Sequence, residues 1–168
     1  MGILRRASVD LPEPAQRALA SWRGLRAGDG TLPLLGELAP AELPRALLPW
    51  TMTIQRTAGR ELVYGVVGER VVEAHGTNPR GKPFLYDAPA AAVADRRAIV
   101  HRALDTGTPF WVVSRSVRAD DWQHFGRLGL PVRTTDSVAL VVILFKIARA
   151  AAPDEEGEHL EWLDPATG

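Results

Sequence analysis

The first apolar pattern in the chain has the spacing of a helix. Five apolar residues recur at intervals of three or four positions near the amino end: Ala15, Ala18, Leu19, Trp22 and Leu25. Residues at this spacing share one face of an α-helix. The pattern predicts an amphipathic helix over about 12–26. The following stretch, 28–49, contains four prolines and is therefore expected to be mostly irregular.

The pattern after residue 49 changes to the short apolar runs of strands. Runs over 50–56 and 61–67 are joined by a four-residue loop and predict a β-hairpin. A helix is then predicted from about 89 to 107, because its apolar residues Val93, Val100 and Leu104 fall within about 20° of one another on a helical wheel. Three more strands are predicted in succession, over 108–117, 121–132 and 137–147.

One of these strands is apolar on both faces. Every residue from Val138 to Phe145 is apolar, whereas a strand with one face in water alternates between apolar and polar residues. We therefore expect it in the interior of the sheet, with both faces covered. The amino-terminal helix and a second subunit are two candidates for the outer cover, and the stretch 28–49 together with the region of Trp162 is a third.

Composition narrows the class of protein. The chain has 168 residues, 46% of them apolar and 24% charged, which is the composition of one globular domain. Its net charge is zero, which argues against a dedicated nucleic-acid-binding protein. It has no cysteine, so disulfides and thiolate metal sites are excluded. No apolar run is long enough to cross a bilayer, and a cytoplasmic location with no membrane partner is expected.

The two ends of the chain differ from the body. Residues 1–11 are expected to form a flexible amino terminus. Residues 149–168 carry six acidic residues and one arginine. A segment of this composition is expected to be a solvated acidic tail, although Leu160 and Trp162 could dock on a basic surface. The predicted domain therefore covers 12–148.

Motifs for catalysis are weak throughout. Residues 76–82 have the spacing of a phosphate-binding loop, but Pro83 stands where a hydroxyl should hold magnesium, so the segment is interpreted as a turn. None of the four histidines forms a metal-binding pair at helical spacing. No nucleophile motif of the GxSxG type occurs. We therefore expect a protein that is not an enzyme and has no catalytic or metal-binding residue.

Six segments together resemble one family of bacterial PAS domains, common in single-domain proteins of alphaproteobacteria. The resemblance runs from about Ala15 to Ala148. No single motif is diagnostic, and the order and spacing of the segments carry the likeness. The segments are Trp22–Gly28, Leu38–Pro49, Leu62–Gly68, Gly76–Pro83, Gly107–Phe110 and Leu128–Val132.

This resemblance implies an α+β PAS-like fold, with five antiparallel strands and helices over one face, in addition to the amino-terminal helix. It implies a sensory or signalling module that acts through contacts with other proteins or through self-association, with or without a small ligand. Two alternatives stay open. One is a sensor that binds haem or another cofactor through His101, and the other is an unrecognised enzyme.

Two sets of residues are candidates for binding. A ligand pocket is expected between the inner face of the sheet and the helix over 89–105, lined by Tyr64, His101 and Trp111. A homodimer is expected to form through the amino-terminal helix, with Ala15, Leu19 and Trp22 at the interface, because one helix covers only part of an apolar sheet face.

Overall fold

We describe a computed structural model of the chain. It describes 11–26, 28–38, 43, 45–118, 121–147 and 158–166, with backbone alone for 115–118 and 121–124. The helices are α1 (Glu13–Leu25), a short 3-10 helix (Arg45–Trp50), α2 (Glu69–His75) and α3 (Ala90–Thr106). The strands are β1 (Thr51–Arg56), β2 (Leu62–Val67), β3 (Phe110–Arg118), β4 (Asp121–Arg133), β5 (Val138–Ile147) and β6 (Glu158–Trp162).

The strands form one antiparallel sheet in the order β2-β1-β5-β4-β3-β6. β5 therefore lies between β1 and β4, and its residues from Ala139 to Ile143 are all buried. This confirms the prediction that the doubly apolar strand is interior. The hairpin of β1 and β2 and the helix after residue 89 are also confirmed, with ends shifted by one or two residues.

The prediction of five strands is wrong, because β6 makes the sheet six-stranded. β6 lies within the segment predicted as an acidic tail and pairs with β3 at the edge of the sheet. Its apolar residues Leu160 and Trp162 pack against the core on the α3 side. The acidic Glu158 stays partly exposed and pairs with Arg96 at 2.7 Å. Burial of apolar surface thus outweighs the acidic composition at these five positions. Residues 1–10 and 149–157 lie outside the described part of the chain.

The inner face of the sheet packs against α3. Side chains alternate along each strand, so Leu140 and Val142 of β5 point to this face. They form a core with Val100 and Leu104 of α3. The predicted stripe of α3 is buried at these last two positions, whereas Val93 is only half-buried.

The outer face of the sheet is covered by the chain itself. Ala15, Leu19 and Trp22 of α1 are at most 5% exposed and belong to the core on this face. The Trp22 indole N–H donates a hydrogen bond to the Pro131 carbonyl oxygen at 2.6 Å. The predicted dimer interface therefore needs correction, because these side chains already pack on their own β-sheet and present no free surface to a partner.

The third candidate cover is right for the proline-containing stretch and wrong for Trp162, which packs against the inner core on the opposite face. Apolar residues from the proline-containing stretch and from the segment after β6 join α1 in the outer core: Leu32, Leu35, Leu38, Leu43, Leu47, Leu48 and Leu163. The leftover apolar surface that favoured a dimer is thereby covered. None of the described helices is long and apolar enough to cross a membrane.

Candidate functional site

A cavity of about 850 Å³ lies between the inner face of the sheet and the helices α2 and α3. It forms because α3 is buried only near its carboxyl end, at Val100, Ala103 and Leu104. Upstream of these residues, Arg96 and Ile99 line the cavity, and Ile99 is only partly buried against the core. A cavity of this volume is in the range of small-molecule sites.

The wall of the cavity is mostly apolar. The floor is formed by side chains from all six strands, and the roof by α2, α3 and the segment 79–88. The apolar lining residues are Met52, Ile54, Val71, Phe84, Leu85, Ile99, Val100, Phe110, Val112, Phe125, Leu140, Val142 and Leu144. Such a wall favours a ligand with an apolar body, because contact with it removes apolar surface from water.

Gly129 supports one side of the cavity floor. It stands between Val142 of β5 and Phe110 of β3 in the cross-strand register. A side-chain carbon at this position would overlap the Phe110 ring. The glycine therefore lets the phenyl ring lie flat over β4, where it forms part of the cavity wall.

Tyr64 is the predicted pocket residue that the structure places in the cavity. Its ring meets the Phe84 ring edge-on, with centroids 5.4 Å apart. Burial raises the pKa of the Tyr64 phenol, because a phenolate would lose its hydration there. Tyr64 thus contributes a neutral hydroxyl group and an aromatic wall.

The other two predicted pocket residues lie elsewhere. Trp111 belongs to the outer core, where its ring fills the space beside Gly126. His101 is half-buried and is not part of the cavity wall. Burial lowers the pKa of His101, and the charges of Arg60 and Arg56 lower it further. A haem in the cavity could not be held by a histidine outside it, so this geometry gives no support to the His101 alternative.

The most unusual residue of the cavity is Arg127. In the register it stands between Leu144 of β5 and Val112 of β3, so a cation occupies a row of aliphatic side chains on the inner face. Its guanidinium donates a hydrogen bond to the Ser114 hydroxyl. Burial lowers the pKa of Arg127, and the nearby charge of Glu158 acts in the opposite direction. Arg127 forms no ion pair with a carboxylate among the described side chains.

Arg96 and Glu158 complete the charged end of the cavity. Arg96 Nη2 lies 2.7 Å from Glu158 Oε1, and both residues line the cavity. The charge of Arg96 lowers the pKa of Arg127 and that of Glu158 raises it. Two guanidinium groups therefore face a single carboxylate, which leaves one positive charge in excess at this end.

The remaining charged groups of the wall lie in separate pairs. Arg70 pairs with Glu73 on α2 at 2.7 Å. His75 Nε2 lies 3.1 Å from Asp87 Oδ2, close enough for ion pairing but without hydrogen-bond geometry. Lys146 stands over the Trp50 ring at 5.3 Å. No group of three or more histidine, aspartate and glutamate residues suited to a metal ion occurs in the described part of the chain.

Three residues of the site, Arg127, Arg96 and Glu158, are not predicted from the sequence. In β4 the apolar residues Leu128, Leu130 and Val132 share one face, and this alternation indicates that Arg127, on the other face, is exposed to solvent. The signal that could have found it is the neighbouring strand β5, which predicts a core on both faces and hence an arginine beside apolar side chains. A scan against protein-family models and a search of curated proteins find no match for this chain.

Proposed function

We propose that this protein is a PAS-type sensory module that holds a small ligand in the cavity and acts through contacts with other proteins. The observation that carries the proposal is the cavity of about 850 Å³ with its apolar wall and the half-buried Arg127. A cation that is partly removed from water lowers the stability of a fold unless an anion pairs with it. Arg127 has no ion pair among the described side chains, so an anionic group of a bound ligand could supply its partner.

The PAS part of the proposal is supported by the architecture. The resemblance implies five antiparallel strands with helices over one face, and strands β1 to β5 with α2 and α3 have that arrangement. β6 is an addition to it. The cavity lies under the helices, where the sequence predicts a ligand pocket.

The output of the module is proposed to be a protein contact. α2 and the segment 79–88 form the roof of the cavity, so a ligand touches them directly. Two large apolar side chains are exposed in this region. Tyr86, in the segment 79–88, is 37% exposed, and Val66, on β2, is 60% exposed. A homodimer stays part of the proposal, but it has to use a surface other than the buried stripe of α1.

Uptake of an uncharged fluorescent probe tests the ligand-binding function. We expect N-phenylnaphthylamine to gain fluorescence with the purified protein, because the apolar wall shields the dye from water. Leu144→Trp places a large ring in the cavity and should abolish the gain. Val66→Trp adds the same ring at an exposed position and is the matched control. A dye signal that is absent from the wild type, or unchanged in Leu144→Trp, would contradict the proposal.

A further inference from the structure

We infer that the cavity binds an organic monocarboxylate with an apolar body, and that Arg127 holds the carboxylate group. This inference rests on the proposed ligand-binding function and names the chemical class of the ligand. It is carried by two features of the cavity, the excess positive charge at one end and the apolar wall over the rest.

The charge at the Arg127 end matches a single carboxylate. Arg96 is already paired with Glu158, whereas Arg127 has only the Ser114 hydroxyl as a described hydrogen-bond partner. A guanidinium has five N–H donors in a planar fork, so Arg127 retains donors for another acceptor. A carboxylate fits this fork with two parallel hydrogen bonds. It would also neutralise the excess charge that the fold leaves at this end.

A doubly charged head group fits less well. A phosphate would place a second negative charge beside Glu158, whose carboxylate lines the same end. The other cations of the wall are engaged elsewhere, Arg70 with Glu73 and Lys146 with the Trp50 ring. One unpaired guanidinium therefore favours a monoanion over a dianion.

The rest of the wall selects an apolar body. Leu144 and Val112 flank Arg127 in the register, and the next row on the same face contains Met52, Val142 and Phe110. A carboxylate on Arg127 would have its carbon chain or ring lie across these side chains. Short polar acids would leave this apolar surface in contact with water and are expected to bind weakly.

Decanoate and decanol form the matched probes. They share an apolar chain and differ in the charged head group. Above about pH 6 the carboxylate is ionised. We expect the wild type to bind decanoate about tenfold to a hundredfold more tightly than decanol, because the carboxylate forms charge-assisted hydrogen bonds with a guanidinium that is partly shielded from water. Naphthylacetate, measured in the same way, distinguishes an aromatic body from a linear one.

Arg127→Met removes the cation and keeps an apolar side chain of similar length. We expect it to abolish the preference for decanoate and to leave decanol binding unchanged. Arg17→Met is the control, because Arg17 lies on α1 at the outer face and its ion-pair partner among the described residues is the exposed Glu13. It removes the same charge from the protein and should leave both affinities unaltered.

Glu158→Gln changes the affinity in the opposite direction. It removes the carboxylate that Arg96 and Arg127 face, so an incoming anion meets more positive charge. We expect decanoate to bind several-fold more tightly and decanol as before. A merely structural role of Glu158 would weaken both ligands together. This variant keeps the inference testable if Arg127→Met fails to fold.

The possible results distinguish a failure of the monocarboxylate inference from a failure of the proposed ligand-binding function. Binding of decanol and N-phenylnaphthylamine without any preference for decanoate would overturn the monocarboxylate and leave the cavity as a ligand site. An equal preference in the wild type and Arg127→Met would overturn the role of Arg127. Absence of binding by all probes would overturn both the inference and the proposed function.

Discussion

Trp22 and Arg127 are large side chains with polar tips on opposite faces of the sheet, and their surroundings satisfy them differently. The Trp22 indole is fully buried and donates its N–H to the Pro131 carbonyl. Arg127 donates to the Ser114 hydroxyl and has no ion pair with a described carboxylate. The hydrogen bond of Trp22 stabilises the fold. The positive charge of Arg127, without an ion pair among the described side chains, lowers the stability of the fold and favours binding of an anion.

Replacing Arg127 should therefore stabilise the ligand-free protein. Arg127→Met exchanges a desolvated cation for an apolar side chain in an apolar row, and we expect the free energy of unfolding to rise by about 1 to 2 kcal/mol. Urea denaturation of ligand-free protein measures the change. A loss of stability of similar size would show that Arg127 is a structural residue whose partners satisfy it.

The Tyr64 phenol gives a dependence of stability on pH. Its folded-state pKa is raised above the ordinary value of 10.0 by burial. Above about pH 10 the unfolded chain releases this proton while the folded chain keeps it, so stability falls as the pH rises. We expect the loss of stability between about pH 9 and about pH 11 to be smaller in Tyr64→Phe. Equal losses in the two proteins, measured as urea midpoints, would contradict the burial of the phenol.

At the scale of elements, how much the sequence predicts depends on how strong each pattern is. The periodic stripe of α1 and the doubly apolar β5 are predicted almost to the residue, because local spacing and burial agree there. The sixth strand is not predicted, because β6 is stabilised by pairing with β3, a contact remote along the chain.

The same limit applies to the candidate site. The position of the cavity under α3 is predicted because concave apolar sites form where a helix is lifted off a sheet, and Tyr64 is predicted correctly as a wall residue. Trp111 and Arg127 are assigned to faces only once the strand register is known, since one residue of shift exchanges the two faces of a strand. Glu158 reaches the cavity from a segment whose composition indicates a tail.

Removal of β6 should therefore destabilise the whole domain. A chain that ends after Gly157 loses the packing of Leu160, Trp162 and Leu163 and exposes the edge of β3. We expect the free energy of unfolding to fall by about 3 kcal/mol or more. If the truncated chain is as stable in urea as the full chain, residues 158–168 are a solvated tail and β6 does not stabilise the domain.

At the scale of the whole molecule, the chain has a three-layer arrangement, with α1 and the stretch 28–38 on one face of the sheet and α2 and α3 on the other. The two layers have different roles. The outer layer closes the apolar face within one chain, whereas the inner layer leaves the cavity between itself and the sheet. The buried stripe of α1 is consequently a part of the core.

Leu19→Glu distinguishes a core helix from a dimer interface. Leu19 is 5% exposed, and burying an unpaired carboxylate there should unfold the chain or destabilise it by several kcal/mol. Circular dichroism and sedimentation together report the result. A folded monomer formed from a dimeric wild type would contradict this account and restore α1 as the interface. Glu13→Gln, at an exposed position of the same helix, is the control.

A crystal structure with a brominated decanoate shows whether Arg127 holds the carboxylate of an apolar acid inside the cavity. We expect a carboxylate oxygen at roughly 2.7 to 2.9 Å from the Arg127 guanidinium nitrogens, with the bromine signal among the apolar side chains of the wall. A bromine signal outside the cavity, or a carboxylate that points away from Arg127 toward solvent, would contradict it.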